Sequence, residues 1–271
     1  MRSTGQLHTA DFLKTIGVCA LPASTSVFDP GYDAVTLQSH LEQSSHLIST
    51  LKISMACWLI ANEAVVRRKV TIANHYKVIT TTGGGPFEIA VAQHKLAYYL
   101  DLCADIGVMR IECGEGFTEM PLQAEDVVKA AHERNLEVQF ELGKKHGGAF
   151  TADTIDGLID QGRRWLEAGA VELIVEARES AKGIGVFDAQ GRLHTSFADR
   201  FVEAFGLRNL TFEAPDKLSQ FALLDHFGPE VRISNVRLEE LLRVEIYRRG
   251  LHSDAFSKPN LRPRNPTQQA A

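Results

Sequence analysis

The sequence predicts an α/β fold: a single (β/α)8 TIM-type barrel with parallel strands, spanning residues 1–256. Three observations lead there. Short β-branched runs alternate with longer amphipathic ones along the chain, and strands separated by helices pair in parallel through right-handed crossovers. About eight strand–helix units can be counted, the number that closes a barrel. The chain has 271 residues, 44% of them hydrophobic, which suits one barrel of about 250 residues with a large core. An open doubly wound sheet is the main alternative. Two domains would also fit the length, but no linker composition interrupts residues 10–256.

The elements follow in order. Ser26–Phe28 is a short β-prone run, and Thr36–Leu47 has helical spacing. Ile48–Ile53 reads as a strand and Ala64–Ala73 as a helix. Lys77–Thr81 is a threonine-rich strand closed by Gly83–Gly85. Phe87–Gly107 reads as one long helix, then Val108–Cys113 as a strand. Gln123–Arg134 is helical before the strand Glu137–Leu142, and Asp153–Ala168 before Glu172–Glu176. Ser196–Phe205 precedes the strand Leu210–Glu213, and Lys217–Phe227 precedes Val231–Val236. Arg237–Arg248 is the last helix. From Ser257 the chain reads SKPNLRPRNPTQQAA, rich in Pro, Asn and Gln, which predicts a disordered tail over 257–271.

Composition excludes several classes. A net charge of −5 gives no basic footprint for nucleic acid. The N-terminus lacks the apolar core of a signal peptide. The apolar run around Ile53–Ile60 is broken by Asn62 and Glu63, so no membrane span is expected. Cys19, Cys57, Cys103 and Cys113 form no CxxC pair, which suits reduced thiols in the cytoplasm. His75, His94, His132 and His146 show no ligand spacing, and Trp58 and Trp165 are most simply core. No Ser/His/Asp pattern and no HExxH suggests a hydrolase. Many barrels associate, so a homo-oligomer is compatible with the sequence, which does not fix the oligomeric state.

One stretch, VQFELGKKHGG (138–148), is a core strand that ends in charge. Burying Glu141 costs several kcal/mol unless it is paired or binds a metal. Other strand ends repeat the pattern: RIECGEG holds Glu112, LIVEARES holds Glu176 and LTFEAPDK holds Glu213. A lone glutamate there is usually an ion-pair partner. Four at matching positions gather at one end of a parallel sheet, where such folds build their sites. Lys52, Arg178, Lys144, Lys145 and Asn235 join the same rim. Carboxylates with lysines and an arginine suit a divalent cation such as Mg2+ plus a small anionic substrate. A lysine can then move a proton at the substrate α-carbon. Side-chain alternation puts Lys145 on the side of Glu141 and Lys144 on the other, and a bend at Gly143 would reverse this. TTTGGGPFE (80–88) can present the N–H groups of Gly83 and Gly84 to phosphate, although a plain tight turn explains it as well.

With these motifs the chain resembles the phosphosulfolactate synthase family over about Ser26 to Phe256. GGGPFE, FELGKK, EAGAVELIVEARES, FEAP and RRGLHSDAF carry the likeness. The resemblance implies a (β/α)8 barrel that adds sulfite to phosphoenolpyruvate with Mg2+, making phosphosulfolactate. The family also includes plant heat-stress-associated proteins whose role is not clearly enzymatic. Matching positions are Asp29, Lys52, Glu112, Glu141, Lys144, Lys145, Glu176, Arg178, Glu213 and Asn235. The resemblance makes one lysine of GKK the proton donor to the enolate carbon.

The departures fall where an anion should bind. Asp-Lys-Gly becomes Asp29-Pro30-Gly31, and a Gly-Trp-Gly-Thr type turn becomes Ser54-Met55-Ala56-Cys57. Gly-Gly-Thr-Leu becomes Gly83-Gly84-Gly85-Pro86, and Ser-Asp-Gly becomes Gly114-Glu115-Gly116. Asn-Leu-Gly-Asn becomes Arg232-Ile233-Ser234-Asn235, so Ser234 adds a side chain where glycine allows close approach. The expected assignment is therefore metal at Glu112, Glu141, Glu176 and Glu213, and proton transfer by Lys145 or Lys144. Substrate would be held by Lys52, Arg178, Gly83, Gly84, Ser234 and Asn235. Alternatives are a sibling enolate reaction on another small carboxylate, or a non-catalytic stress or binding role on the same barrel.

Overall fold

The computed structural model describes residues 8–18, 20–119 and 123–261. Eight strands form a closed barrel: β1 (Thr25–Asp29), β2 (Ile48–Ile53), β3 (Ile79–Thr82), β4 (Arg110–Gly114), β5 (Glu137–Leu142), β6 (Glu172–Val175), β7 (Leu210–Glu213) and β8 (Arg232–Arg237). Each pairs in parallel with its sequence neighbours, and β8 closes on β1. Helix α1 (Thr9–Thr15) precedes the barrel. Around it run α2 (Ala34–Ser44), α3 (Cys57–Ile60), α4 (Glu63–His75), α5 (Gly84–Ala92), α6 (Leu96–Ile106), α7 (Ala124–His132), α8 (Ala152–Ala168), α9 (Thr195–Phe205), α10 (Lys217–Phe227) and α11 (Leu241–Arg248).

The expected single helix over Phe87–Gly107 is two helices, α5 and α6. His94 turns into the left-handed region at φ 54. Its N–H and that of Lys95 reach back to the carbonyls of Val91 and Ala90, at 3.0 and 2.7 Å, and close α5. This is the hydrogen-bond pattern of a glycine C-cap made without glycine. The apolar spacing runs through the break, so periodicity alone merges the two.

The apolar core lies between strands and helices. Val27, Leu51, Ile111, Val138, Phe140, Leu173, Phe212, Ile233 and Val236 face outward from the barrel and are buried under the helices. Phe140 stacks on Trp165 of α8 at 4.2 Å between ring centroids. Trp58 is buried as well. Alternation then sends the polar residues of the same strands inward. Barrels of this type are usually filled by branched aliphatic side chains; this one is largely filled by hydrogen bonds.

At the N-terminal end Arg110 of β4 donates to Glu172 of β6 at 2.9 Å. Glu172 also pairs with Arg232 of β8 at 2.9 Å and accepts from Thr211 of β7. Glu137 takes the other side of Arg110 at 2.7 Å. One carboxylate thus ties three strands to β6 beneath the site.

Among the described residues no helix is long and apolar enough to cross a membrane. Cys57, Cys103 and Cys113 are free thiols, and Cys19 lies outside the described residues. Of the C-terminal segment, Lys258 pairs with Asp225 at 2.7 Å and Leu261 is buried. Residues 262–271 lie outside the described residues.

Removing one partner of a buried ion pair costs about 3–5 kcal/mol. Glu172→Ala should therefore lower unfolding stability by about that much, because Arg110 and Arg232 keep their charges inside the barrel. Denaturant unfolding with Glu172→Gln as the milder control reads this out. A loss within error of zero would mean that the layer is solvated and not structural.

Candidate functional site

The strand ends place their charges by register. Lys52 sits opposite Phe28 and Thr81, and Glu112 opposite Gln139. Glu141 sits opposite Gly114 and Ile174, and Glu213 opposite Ser234. Paired residues of parallel strands share a face, so these side chains converge at the C-terminal mouth of the barrel. Glu112, Glu141, Glu176 and Glu213 are all buried, with exposures of 2% or less.

Lys52 spans the interior. Its ammonium donates to Glu112 at 3.1 and 3.3 Å and to Glu213 at 3.1 Å. Glu112 also accepts from Gln139 Nε2 at 2.8 Å and from the Gly84 N–H at 2.9 Å. Both Glu112 oxygens are therefore occupied, and Lys52 is a buried counter-ion instead of an open anion receptor. Burial opposes the charge on Lys52, but Glu112, Glu213 and Glu141 outweigh it and raise its pKa above the usual lysine range.

Lys145 occupies the other half. Its Nζ donates to Glu141 at 2.6 Å and to Glu176. Lys144 is exposed. Strand alternation is not what separates the two lysines. Gly143 has φ +125 and the chain turns there, yet the turn does not exchange them: Lys145 still faces the carboxylates. Lys145 is held instead by its own N–H, which donates to the Gly116 carbonyl at 2.6 Å. Burial opposes its charge too, yet Glu141, Glu213, Glu176 and Glu112 raise its pKa and keep the ammonium protonated.

Arg178 enters through its backbone. At φ 55 its N–H reaches Glu176 Oε1 at 2.6 Å and Glu213 Oε2 at 3.0 Å, while the Ala177 N–H meets Glu213 at 3.0 Å. A left-handed non-glycine residue costs roughly 1–2 kcal/mol, and two charge-assisted bonds offset it. The Arg178 guanidinium is exposed and donates to the Lys145 carbonyl at 3.0 Å. Asn235, at φ 59, also takes the left-handed conformation on this rim. Ser234 is buried, and its Oγ has no hydrogen-bond partner.

Two further expectations resolve differently. Gly83 is the N-cap of α5, but the Gly84 N–H is already spent on Glu112. Asp29 is saturated by the N–H groups of Gly31 and Tyr32, at 2.7 and 2.6 Å, and by buried Lys69. It shapes the β1–α2 turn.

The remaining carboxylates form the candidate metal group. Oxygens of Glu141, Glu176 and Glu213 lie within 4.8 Å of one another. Burial, then the charges of Glu213 and Glu141, push the Glu176 carboxyl up, against the pull of Lys145. Burial works against the charge of Glu213 as well, but Lys52 and Lys145 prevail and keep it ionised. Glu141 Oε2 is buried with no partner. Four carboxylates thus face two ammonium groups, and one carboxylate oxygen, Glu141 Oε2, is unpaired. An all-oxygen, electron-rich set of this kind fits a hard divalent cation. Glu112 stands outside the group, its oxygens already used.

Residues missed from sequence include Gln139, Lys69 and Glu88. Glu88 had a readable signal: it is the lone charge in the apolar helix GGPFEIAVA.

The family model described as (2R)-phospho-3-sulfolactate synthase (ComA) matches residues 22–254. The phosphosulfolactate synthase of Methanocaldococcus jannaschii is 30% identical over 235 residues, covering 86% of this chain and 94% of that protein. The phosphosulfolactate synthase of Methanothermobacter thermautotrophicus is 27% identical, covering 88% and 92%. Among solved structures, a 3-hexulose-6-phosphate synthase superposes with a TM-score of 0.50 at 11% identity, covering 82% of this chain and 99% of that one. The last likeness speaks to the fold alone.

Gly143 tests how tightly the site is held. A Cβ there would lie 3.0 Å from Glu176 Cβ and 3.1 Å from the Phe150 ring, at a backbone angle side chains rarely adopt. Gly143→Ala should cost about 1–3 kcal/mol of stability. If the carboxylate group takes a divalent cation, the same substitution should weaken that binding in calorimetry, because Glu176 must move. Unchanged cation affinity would separate Gly143 from the carboxylate group.

Proposed function

This chain belongs to the (2R)-phospho-3-sulfolactate synthase family, and from that premise we propose that its site adds sulfite to phosphoenolpyruvate with the help of Mg2+, giving phosphosulfolactate. Membership makes it an enzyme of the lyase type that forms a carbon–sulfur bond. The observation that carries the finer reading is a lysine, Lys145, seated on the buried carboxylates Glu141 and Glu176.

The chemistry balances with one proton. The sulfur lone pair of sulfite forms a bond to C3 of phosphoenolpyruvate. The π pair of C2=C3 moves onto C2 and into the adjacent carboxylate. C2 then takes a proton, and the phosphate ester stays in place. Lys145 is the donor: it is kept charged by its neighbours and a quarter of its side chain is accessible from the mouth. Lys144 is exposed and serves the anionic group from outside. Glu141, Glu176 and Glu213 would hold Mg2+, which supplies positive charge to the substrate carboxylate as electron density builds there. Arg178 and Lys144 draw anions to a mouth whose floor is negative. Lys52 fixes the orientation of Glu213 beneath them.

A second reading has one observation in its favour. The Ser234 hydroxyl is buried, unpartnered and level with Glu213 in the strand register. It offers an extra donor inside the site, which suits a different nucleophile or a different enol carboxylate on the same machinery.

Phosphorus NMR of phosphoenolpyruvate with sulfite, in Mg2+ and in EDTA, decides between them. A new phosphorylated product that vanishes with EDTA is expected. Cation-dependent binding of phosphoenolpyruvate without product would favour the second reading. General acid catalysis contributes about 100- to 10,000-fold, so Lys145→Ala should lose turnover on that scale while keeping its circular dichroism. Full activity in that variant would sink the assignment of the donor.

A further inference from the structure

We propose that Glu88 is a positioning residue for Lys145, acting through the loop that follows β4. The proposal rests on the reading of Lys145 as proton donor.

Glu88 lies on α5, whose sequence GGPFEIAVA is otherwise uncharged, and it is 1% exposed. A carboxylate so placed needs several donors to offset its lost hydration. It has four, and all come from one short segment. The Gly116 N–H donates to Oε1 at 3.0 Å. The Phe117 N–H at 3.0 Å, the Thr118 N–H at 2.9 Å and the Thr118 hydroxyl at 2.8 Å donate to Oε2. Three successive backbone N–H groups pointing at one anion form a nest, here filled by the protein's own side chain.

That loop is in turn the support of the lysine. The Gly116 carbonyl accepts the Lys145 N–H at 2.6 Å. A Cβ at Gly116 would lie 2.9 Å from Lys145 Cγ and 3.1 Å from Glu88 Oε1. The loop therefore touches the lysine backbone and its aliphatic stem on one side and Glu88 on the other. Its flank is fixed as well, since Gln161 of α8 donates to Glu115 at 3.0 Å. The same helix α5 donates its Gly84 N–H to Glu112, the partner of Lys52. One helix thus registers both lysine-bearing halves of the site: Lys52 through Glu112, and Lys145 through Glu88 and the loop.

Glu88→Gln and Glu88→Ala test this in the Mg2+-loaded enzyme with phosphoenolpyruvate and sulfite, alongside amide hydrogen exchange. A misplacement of about 1 Å can cost on the order of 100-fold in rate. Glu88→Ala should lower kcat about 10- to 100-fold with KM changed less than about threefold. Exchange should speed up at Gly116, Phe117, Thr118 and also at Lys145. Glu88→Gln should lose less, because its amide oxygen can still accept at Phe117 and Thr118 while its NH2 opposes the Gly116 N–H. If Glu88→Ala does not fold, Glu88→Gln carries the same comparison. A loosened loop with an unchanged Lys145 amide, or with unchanged kcat, overturns the proposal. So does a rise in KM alone. If the wild type shows no turnover, the functional reading falls, and the Lys145 amide in Glu88→Gln decides the positioning claim by itself.

Discussion

The site depends on a lysine that crosses the barrel. Lys52 reaches from β2 to Glu112 on β4 and Glu213 on β7. Two opposite charges about 4 Å apart attract by roughly 4 kcal/mol at an effective dielectric of 20, and losing hydration costs several kcal/mol per ion. The terms are close in size, so the bridge contributes little net stability. What it contributes is placement. With Glu112 and Glu213 both drawn to one ammonium, the two carboxylates cannot swing apart. Glu213 then offers its other oxygen to the N–H groups of Ala177 and Arg178, which sets the β6 loop and with it Glu176.

Stability comes from elsewhere. The outward faces of the strands and the inner faces of the helices make the apolar layer. The barrel interior is free to be polar because every strand already buries one face. Charge is stacked along it from Glu172 and Arg110 at the bottom, through Gln139, to Glu112 and Lys52 at the mouth. The rim above this floor is supported by directional bonds.

Much of this was legible from local pattern. Alternating periodicity gave the eight-stranded barrel, and the glutamates repeated at strand ends pointed to one mouth. The split between α5 and α6 was not legible, because no glycine or proline marks the turn at His94. Nor was the fate of Glu112. Its partners Lys52, Gly84 and Gln139 come from separate parts of the chain, 60, 28 and 27 residues away. Ligand and ion-pair glutamates look alike until such distant donors are placed. Alternation along β5 predicts a separation of Lys144 from Lys145, but the turn at Gly143 ends the strand's geometry. The contact that fixes Lys145 is with Gly116, on another strand's loop.

The balance of charge links this architecture to the proposed chemistry. Sulfite and phosphoenolpyruvate are both anions, and a floor of carboxylates repels them at short range. Lys52 and Lys145 do not reverse that: two ammonium groups face four carboxylates, and Glu141 keeps an unpaired oxygen. An anionic substrate can approach such a floor only when further positive charge is present. On the proposed reading, the departures at Pro30 and Ser234 matter less for affinity than the carboxylates do. They alter which anion is read at the rim, whereas Glu141, Glu176 and Glu213 decide whether any anion can settle above Lys145.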